Sequence, residues 1–158
     1  MKRMMIVGAV MLTFAAWSAP ASAQSSTVTV GAGGVYPPGT SFGGIPINGL
    51  QAGYGVEITN PSALGQFCTV LLGVNALGIQ QNITLEGKAG SGSRPAGNFA
   101  TFTGTCTVDM GDGTPPTPGV PFTATITTDA NDQGWIGLVI GVTTLPNATV
   151  NAGSMTIQ

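Results

Sequence analysis

Apolar and polar residues alternate most strictly between positions 100 and 110. Ala100, Phe102, Gly104, Cys106, Val108 and Met110 fall on one side, and Thr101, Thr103, Thr105 and Thr107 on the other. A period of two over that length predicts a strand with one face on a core and the other in water. Phe122, Ala124 and Ile126 repeat the pattern against Thr123, Thr125 and Thr127. Residues 54–59 alternate and stop at the turn signal Asn60-Pro61, while Ile79, Ile83 and Leu85 share a face opposite Gln80, Asn82 and Thr84. The largely apolar runs 67–74 and 135–142 have the length of buried strands. Short strands are expected at 26–30, 148–150 and 154–158.

The intervening segments carry turn chemistry. Pro37-Pro38 and Gly43-Gly44 mark 31–44 as a loop or extended arm, and the Gly, Ser and Pro content of 87–97 predicts a mobile connection. A proline-rich turn at 112–119 and a tight turn at 129–134 complete the set. About eight or nine short strands at this spacing predict an all-β fold, an antiparallel sandwich or barrel.

The N-terminus follows another rule. Lys2 and Arg3 precede an uncharged apolar stretch from Met4 to Trp17, then Ala21-Ser22-Ala23 offers a small-x-small cleavage pattern. A membrane-spanning helix needs about 20 consecutive apolar residues, and this run is shorter. The expected organisation is a signal peptide at 1–23, an N-terminal strand with a Gly/Pro-rich segment at 24–44, and a β-domain at 45–158. Cleavage near Gln24 leaves Lys88 and Arg94 as the only cations against six acids. Nucleic acid and anionic lipid both require clustered Lys and Arg, so neither is an expected partner. Charged residues make up 6% of the chain, against about a quarter in ordinary soluble domains. Thr, Val, Ile, Gly and Asn take their place, which favours strands and turns over helices. Low charge also leaves a domain less protected against self-association.

Cys68 and Cys106 are the only cysteines. In an oxidising compartment an even pair predicts a disulfide, and the absence of His and of a third thiol argues against a metal site. Such a bridge would close a loop of about 38 residues and contribute about 3 to 4 kcal/mol. The lack of His also excludes Ser-His-Asp and Cys-His catalysis. A paired-carboxylate hydrolase remains formally open, yet Asp109, Asp112, Asp129 and Asp132 all sit in turn-like sequence, where Asp binds nearby backbone amides. Residues 129–134 partly match the start of a calcium loop, but Gln133 and Ile140 occupy two ligand positions, which favours a hairpin turn. The threonine faces would form a hydroxyl-and-methyl ladder if their strands are neighbours. Such an array suits an ordered surface such as ice or a polysaccharide, and equally an ordinary solvated sheet face.

Tyr36-Pro37-Pro38-Gly39-Thr40-Ser41-Phe42, Ala100-Thr101-Phe102-Thr103-Gly104 and the low-charge Gly/Thr/Ala background together resemble the bacterial alkane oxidation protein activator family of small exported proteins. The resemblance covers two short motifs. It implies a role linked to growth on hydrophobic substrates and to biofilm matrix, with no catalytic residues. Exported pilin subunits are similar in having alternating strands at both ends, with 27–30 as a strand that could be donated. The expected function is a non-enzymatic surface or extracellular-matrix protein acting by adhesion or self-association, partnered by itself or other matrix components. The alternative is a small secreted binding module for an apolar ligand or polysaccharide. No cofactor, metal or catalytic residue is expected, and the cysteine pair is the one named site.

Overall fold

The computed structural model describes residues 25–158; the signal peptide expected at 1–23 lies outside the described residues. Ten strands follow one another with no helix between them. They are β1 (Ser26–Val35), β2 (Ser41–Phe42), β3 (Ile45–Thr59), β4 (Ser62–Gly73), β5 (Ile83–Ala96), β6 (Phe99–Asp109), β7 (Thr117–Thr128), β8 (Gly134–Ile140), β9 (Thr143–Thr144) and β10 (Ala148–Ile157). Every pairing is antiparallel, and β3 to β8 run as a meander. The sheet then closes on itself. β1 pairs along its whole length with β3, from Ser26↔Ile58 to Val35↔Gly49, and on its other edge with β10, from Val28↔Ile157 to Val35↔Thr149. The result is an eight-stranded barrel, with β2 folded onto the start of β3 and β9 lengthening the return from β8.

Closure explains why glycine-rich sequence stays extended. Residues 31–34 and 87–94 read as loop on local propensity, yet they lie inside β1 and β5. Each has a partner strand on both sides, and the paired backbone outweighs the entropy that glycine loses. β1 keeps an unbroken register with β3 and its slip against β10 leaves the extra residue, Asn151, on β10, whereas β5 absorbs its irregular sequence as two bulges against β6. Segment 27–30, a candidate donated strand on sequence, is a wall of its own barrel.

Alternate side chains from all eight long strands point inward and form one core. An eight-stranded barrel has an interior just wide enough for side chains to fill. Here four aromatics fill its middle. Phe67 stacks on Phe122 at 4.1 Å and on Tyr54 at 5.0 Å, while Phe102 stands edge-on to Tyr54 at 5.7 Å, Phe122 at 6.1 Å and Phe67 at 6.4 Å. Such pairs contribute about 0.5–1.5 kcal/mol each beyond the area they bury. Gly104 makes room for them: a β-carbon there would lie 2.9 Å from Phe122 Cε1 and collide with the Lys88 carbonyl. The buried Tyr54 and Thr69 hydroxyls satisfy one another at 2.7 Å. Apolar side chains thus face in and Thr, Gln, Glu and Lys face out, the inverse of a membrane barrel with its outward apolar band.

Arg94 crosses one mouth of the barrel. From β5 its guanidinium donates to Ser26 Oγ on β1 at 3.1 Å and to the Ile157 carbonyl on β10 at 3.4 Å, and holds the Gly97 carbonyl at 3.1 Å. One of the two cations among the described residues is therefore part of the fold.

The expected disulfide does not form; both cysteines are free. In β4 the inward positions are Ala63, Phe67, Thr69 and Leu71, so Cys68 points out, while Cys106 of β6 points into the core. β5 also runs between them, with Glu86 opposite Cys68 and Gly87 opposite Cys106. Backbones two strands apart stand about 10 Å from each other, whereas a disulfide needs α-carbons within about 7 Å. Burial pushes the Cys106 thiol up; burial and then the Glu86 carboxylate push up that of Cys68.

A thiol reagent is expected to label Cys68 in the folded protein and Cys106 only after unfolding; labelling of neither, before or after unfolding, would restore the disulfide. Tyr36 and Tyr54, the only tyrosines, are both buried, and burial holds their phenols well above the ordinary value of 10.0. Above about pH 10 the unfolded chain releases protons that the folded chain keeps, so this contribution to stability is whole below that pH and declines above it. Tyrosinate absorbance is expected to rise only as the sheet signal in circular dichroism is lost, and ionisation ahead of unfolding would contradict the buried placement.

Candidate functional site

With the interior occupied by side chains, the surfaces left for function are the outer wall and the two ends. Three of the six acids brace turns. Asp109 Oδ1 accepts the Gly111 amide at 2.9 Å, and Asp112 Oδ1 accepts both the hydroxyl and the amide of Thr114, at 2.6 and 2.9 Å. Those two bonds hold the Asp112 carboxyl below the usual carboxylate range. Asp129 Oδ1 accepts the amides of Asn131 at 2.8 Å and Gln133 at 3.0 Å. The partial calcium loop is thus a hairpin turn between β7 and β8 whose first carboxylate braces the backbone. Among the described residues, no three His, Cys, Asp or Glu side chains gather as metal ligands.

The two threonine faces do lie side by side. Thr101 is opposite Thr125 and Thr103 opposite Thr123 across β6 and β7. The Thr101 hydroxyl bonds the Ala124 carbonyl at 3.2 Å, and Ser91 Oγ on β5 continues the row to Thr103 Oγ1 at 2.6 Å. A shallow hollow of about 530 Å³ opens on this wall, lined by Ser91, Thr103, Thr105, Pro121, Thr123 and Val139. β8 extends the same face through Trp135, Gly137 and Val139, which oppose Thr127, Thr125 and Thr123. The outward position of Trp135 escapes a sequence reading because 135–142 is almost continuously apolar. Pairing with the threonine face of β7 fixes the parity, and only a joint reading of the two strands would have found it.

The end of the barrel opposite Arg94 is of another character. Val35, Val74, Leu77, Ile79 and Val142 are all exposed, and all lie at or beyond the ends of β1, β4 and β8 on that side. Asn75 Oδ1 accepts the amides of Leu77 at 2.9 Å and Ile79 at 3.1 Å, fixing a turn in which these side chains are 83% and 59% exposed. Ile79, expected to share a strand face with Ile83 and Leu85, sits in this turn instead, because β5 begins only at Ile83. Beside it, a hollow of about 550 Å³ is lined chiefly by Val35, Tyr36, Pro37, Pro38, Ile47 and Val74. The 36–42 motif therefore builds this apolar end; Thr40 holds its bend by donating to the Pro37 carbonyl at 2.7 Å.

No protein-family profile, no curated protein and no solved structure matches the chain.

Replacing Asp129 by Ala removes two backbone bonds and is expected to cost about 1 kcal/mol in urea unfolding, with Asp129→Asn close to wild type. Millimolar calcium is expected to leave the melting temperature unchanged; a calcium-dependent rise lost in Asp129→Ala would reinstate the metal reading.

Proposed function

We propose that this chain is an exported, non-enzymatic surface or extracellular-matrix protein that acts by adhesion or self-association. The observation that carries this reading is the gathering of exposed apolar side chains at one end of the barrel. Single exposed hydrophobic residues are ordinary, but five that share one end of a barrel are a candidate surface for a partner. Leu77 and Ile79 are held outward by their own turn, so they are displayed rather than left over from a loose loop. The filled interior and the turn-bound carboxylates fit a protein without catalysis. The low charge fits one that lives against other surfaces. The resemblance to small exported matrix proteins points the same way, and the Tyr36-to-Phe42 motif that carries it lies at this apolar end.

A binding module for an apolar ligand is the second reading. The hollow beside Val35 and Val74 favours it, since about 550 Å³ lies within the range of small-molecule sites. Polar contacts there are few, and the hollow is open to solvent along the chain segment that frames it.

Mature protein is expected to sediment as assemblies or with the matrix fraction, and the double variant Leu77→Ser, Ile79→Ser to shift towards free monomer without loss of melting temperature. A wild-type protein that is strictly monomeric and freely soluble would overturn the adhesion reading. A wild-type monomer whose melting temperature rises with a straight-chain fatty acid or alkanol would establish the second.

A further inference from the structure

We propose that the outer wall of β6, β7 and β8 is a binding platform for a neutral polysaccharide, with Trp135 as its stacking residue. This deepens the adhesion reading and rests on it. Once the signal peptide is removed Trp135 is the only tryptophan, since the other is Trp17. It projects from the wall, flanked by Thr127 on β7 and Thr149 on β10. The indole leans along its own strand over Gly137: its Cζ3 is 3.3 Å from where a β-carbon of residue 137 would stand. Asn147 Oδ1 approaches the same point to 2.9 Å, and Thr125 Cβ to 3.7 Å. Only a residue without a side chain leaves that space, and an aromatic ring covering a strand glycine is a known way to restore its packing. The half-buried ring thus lies along the wall over Gly137, where the Asn147 amide and Thr125 also converge.

That combination matches the chemistry of a sugar. A pyranose has C–H faces that pack on an aromatic ring and hydroxyls that need donors and acceptors at its edge. The threonine lattice supplies hydroxyls about 6.7 Å apart along a strand and about 4.8 Å apart between strands. Charge selects among polymers. The outward residues of β6 from Thr101 to Thr107, of β7 from Pro121 to Thr127 and of β8 from Trp135 to Val139 include no acid and no base. Such a wall neither attracts a polyanion nor repels a neutral chain. Its extent over three strands suits a polymer better than a single sugar, and the hollow by Thr103 and Val139 continues the track.

The test is native gel electrophoresis of the mature protein through soluble hydroxyethyl cellulose, dextran and galactomannan, with polygalacturonate as the anionic control, alongside titration of tryptophan fluorescence. The expected result is retardation by at least one neutral polymer, none by polygalacturonate, and a saturable change in Trp135 emission. Trp135→Ala is expected to weaken binding by about tenfold or more while the protein still unfolds cooperatively, at a modestly lower melting temperature, and Trp135→Phe to retain part of the binding. Gly137→Val, which displaces the indole without removing it, is expected to weaken binding as well and guards against misreading a folding defect. Absence of retardation by all three neutral polymers, or equal retardation of Trp135→Ala, overturns the platform. Emission that changes with protein concentration alone would assign the face to a second copy, overturning the polysaccharide while leaving self-association in place. Assembly or matrix fractionation without polysaccharide binding would likewise sink the platform and spare the adhesion reading.

Discussion

The double ladder of β1 is the constraint on which the rest of the structure depends. Ser26 to Val35 hydrogen-bonds to β3 on one edge and β10 on the other, and this strand joins the two ends of a seven-stranded antiparallel run, β3 to β8 and then β10, into a ring of eight. Without it, β3 and β10 would each present a row of unpaired amides and carbonyls, the template on which sheets aggregate. Closure also defines an inside. Once the ring exists, every second side chain enters a dry interior of fixed width, and the four-ring aromatic cluster with the Tyr54–Thr69 hydroxyl pair fills it. Arg94 reinforces the same joint by tying β5 to β1 and β10 across the mouth.

The unusual composition follows from that geometry. Open sheets guard their edges with lysine, proline and inward charges. A ring has no edges to guard, so this chain can carry 6% charged residues without exposing backbone to aggregation. On the outer wall of β6 to β8, what remains is neutral, and threonine above all. The apolar loop end is a separate matter. Its exposed Leu77 and Ile79 come from a turn braced by Asn75, not from the barrel's alternation. Wall and end are two surfaces of different chemistry on one barrel.

Much of this was legible in the chain. The alternation in β6 and β7, the turn at Asn60-Pro61 and the bracing role of Asp129 are local, and local pattern is what a sequence displays. The choice of barrel over sandwich was not, because closure is a contact between the first strand and both the second long strand and the last. The glycine-rich segments 31–34 and 87–92 hid parts of β1 and β5, since their propensity is for turns and the pairing that overrides it is distant in sequence. Cys68 misled for a related reason. Its run 67–74 is mostly apolar, so the outward parity that separates it from Cys106 is visible only once Thr69 and Leu71 are known to face in. Trp135 was hidden in the same way, by apolar neighbours whose facing is decided on another strand.

Closure by β1 is tested most directly by amide hydrogen exchange in the folded protein. The account predicts that amides of residues 28 to 33 exchange as slowly as their partners in β3 and β10, because both edges of that strand are bonded. Fast exchange throughout β1, with β3 and β10 each protected on one side only, would show an open sheet with a loose N-terminal arm and contradict the barrel.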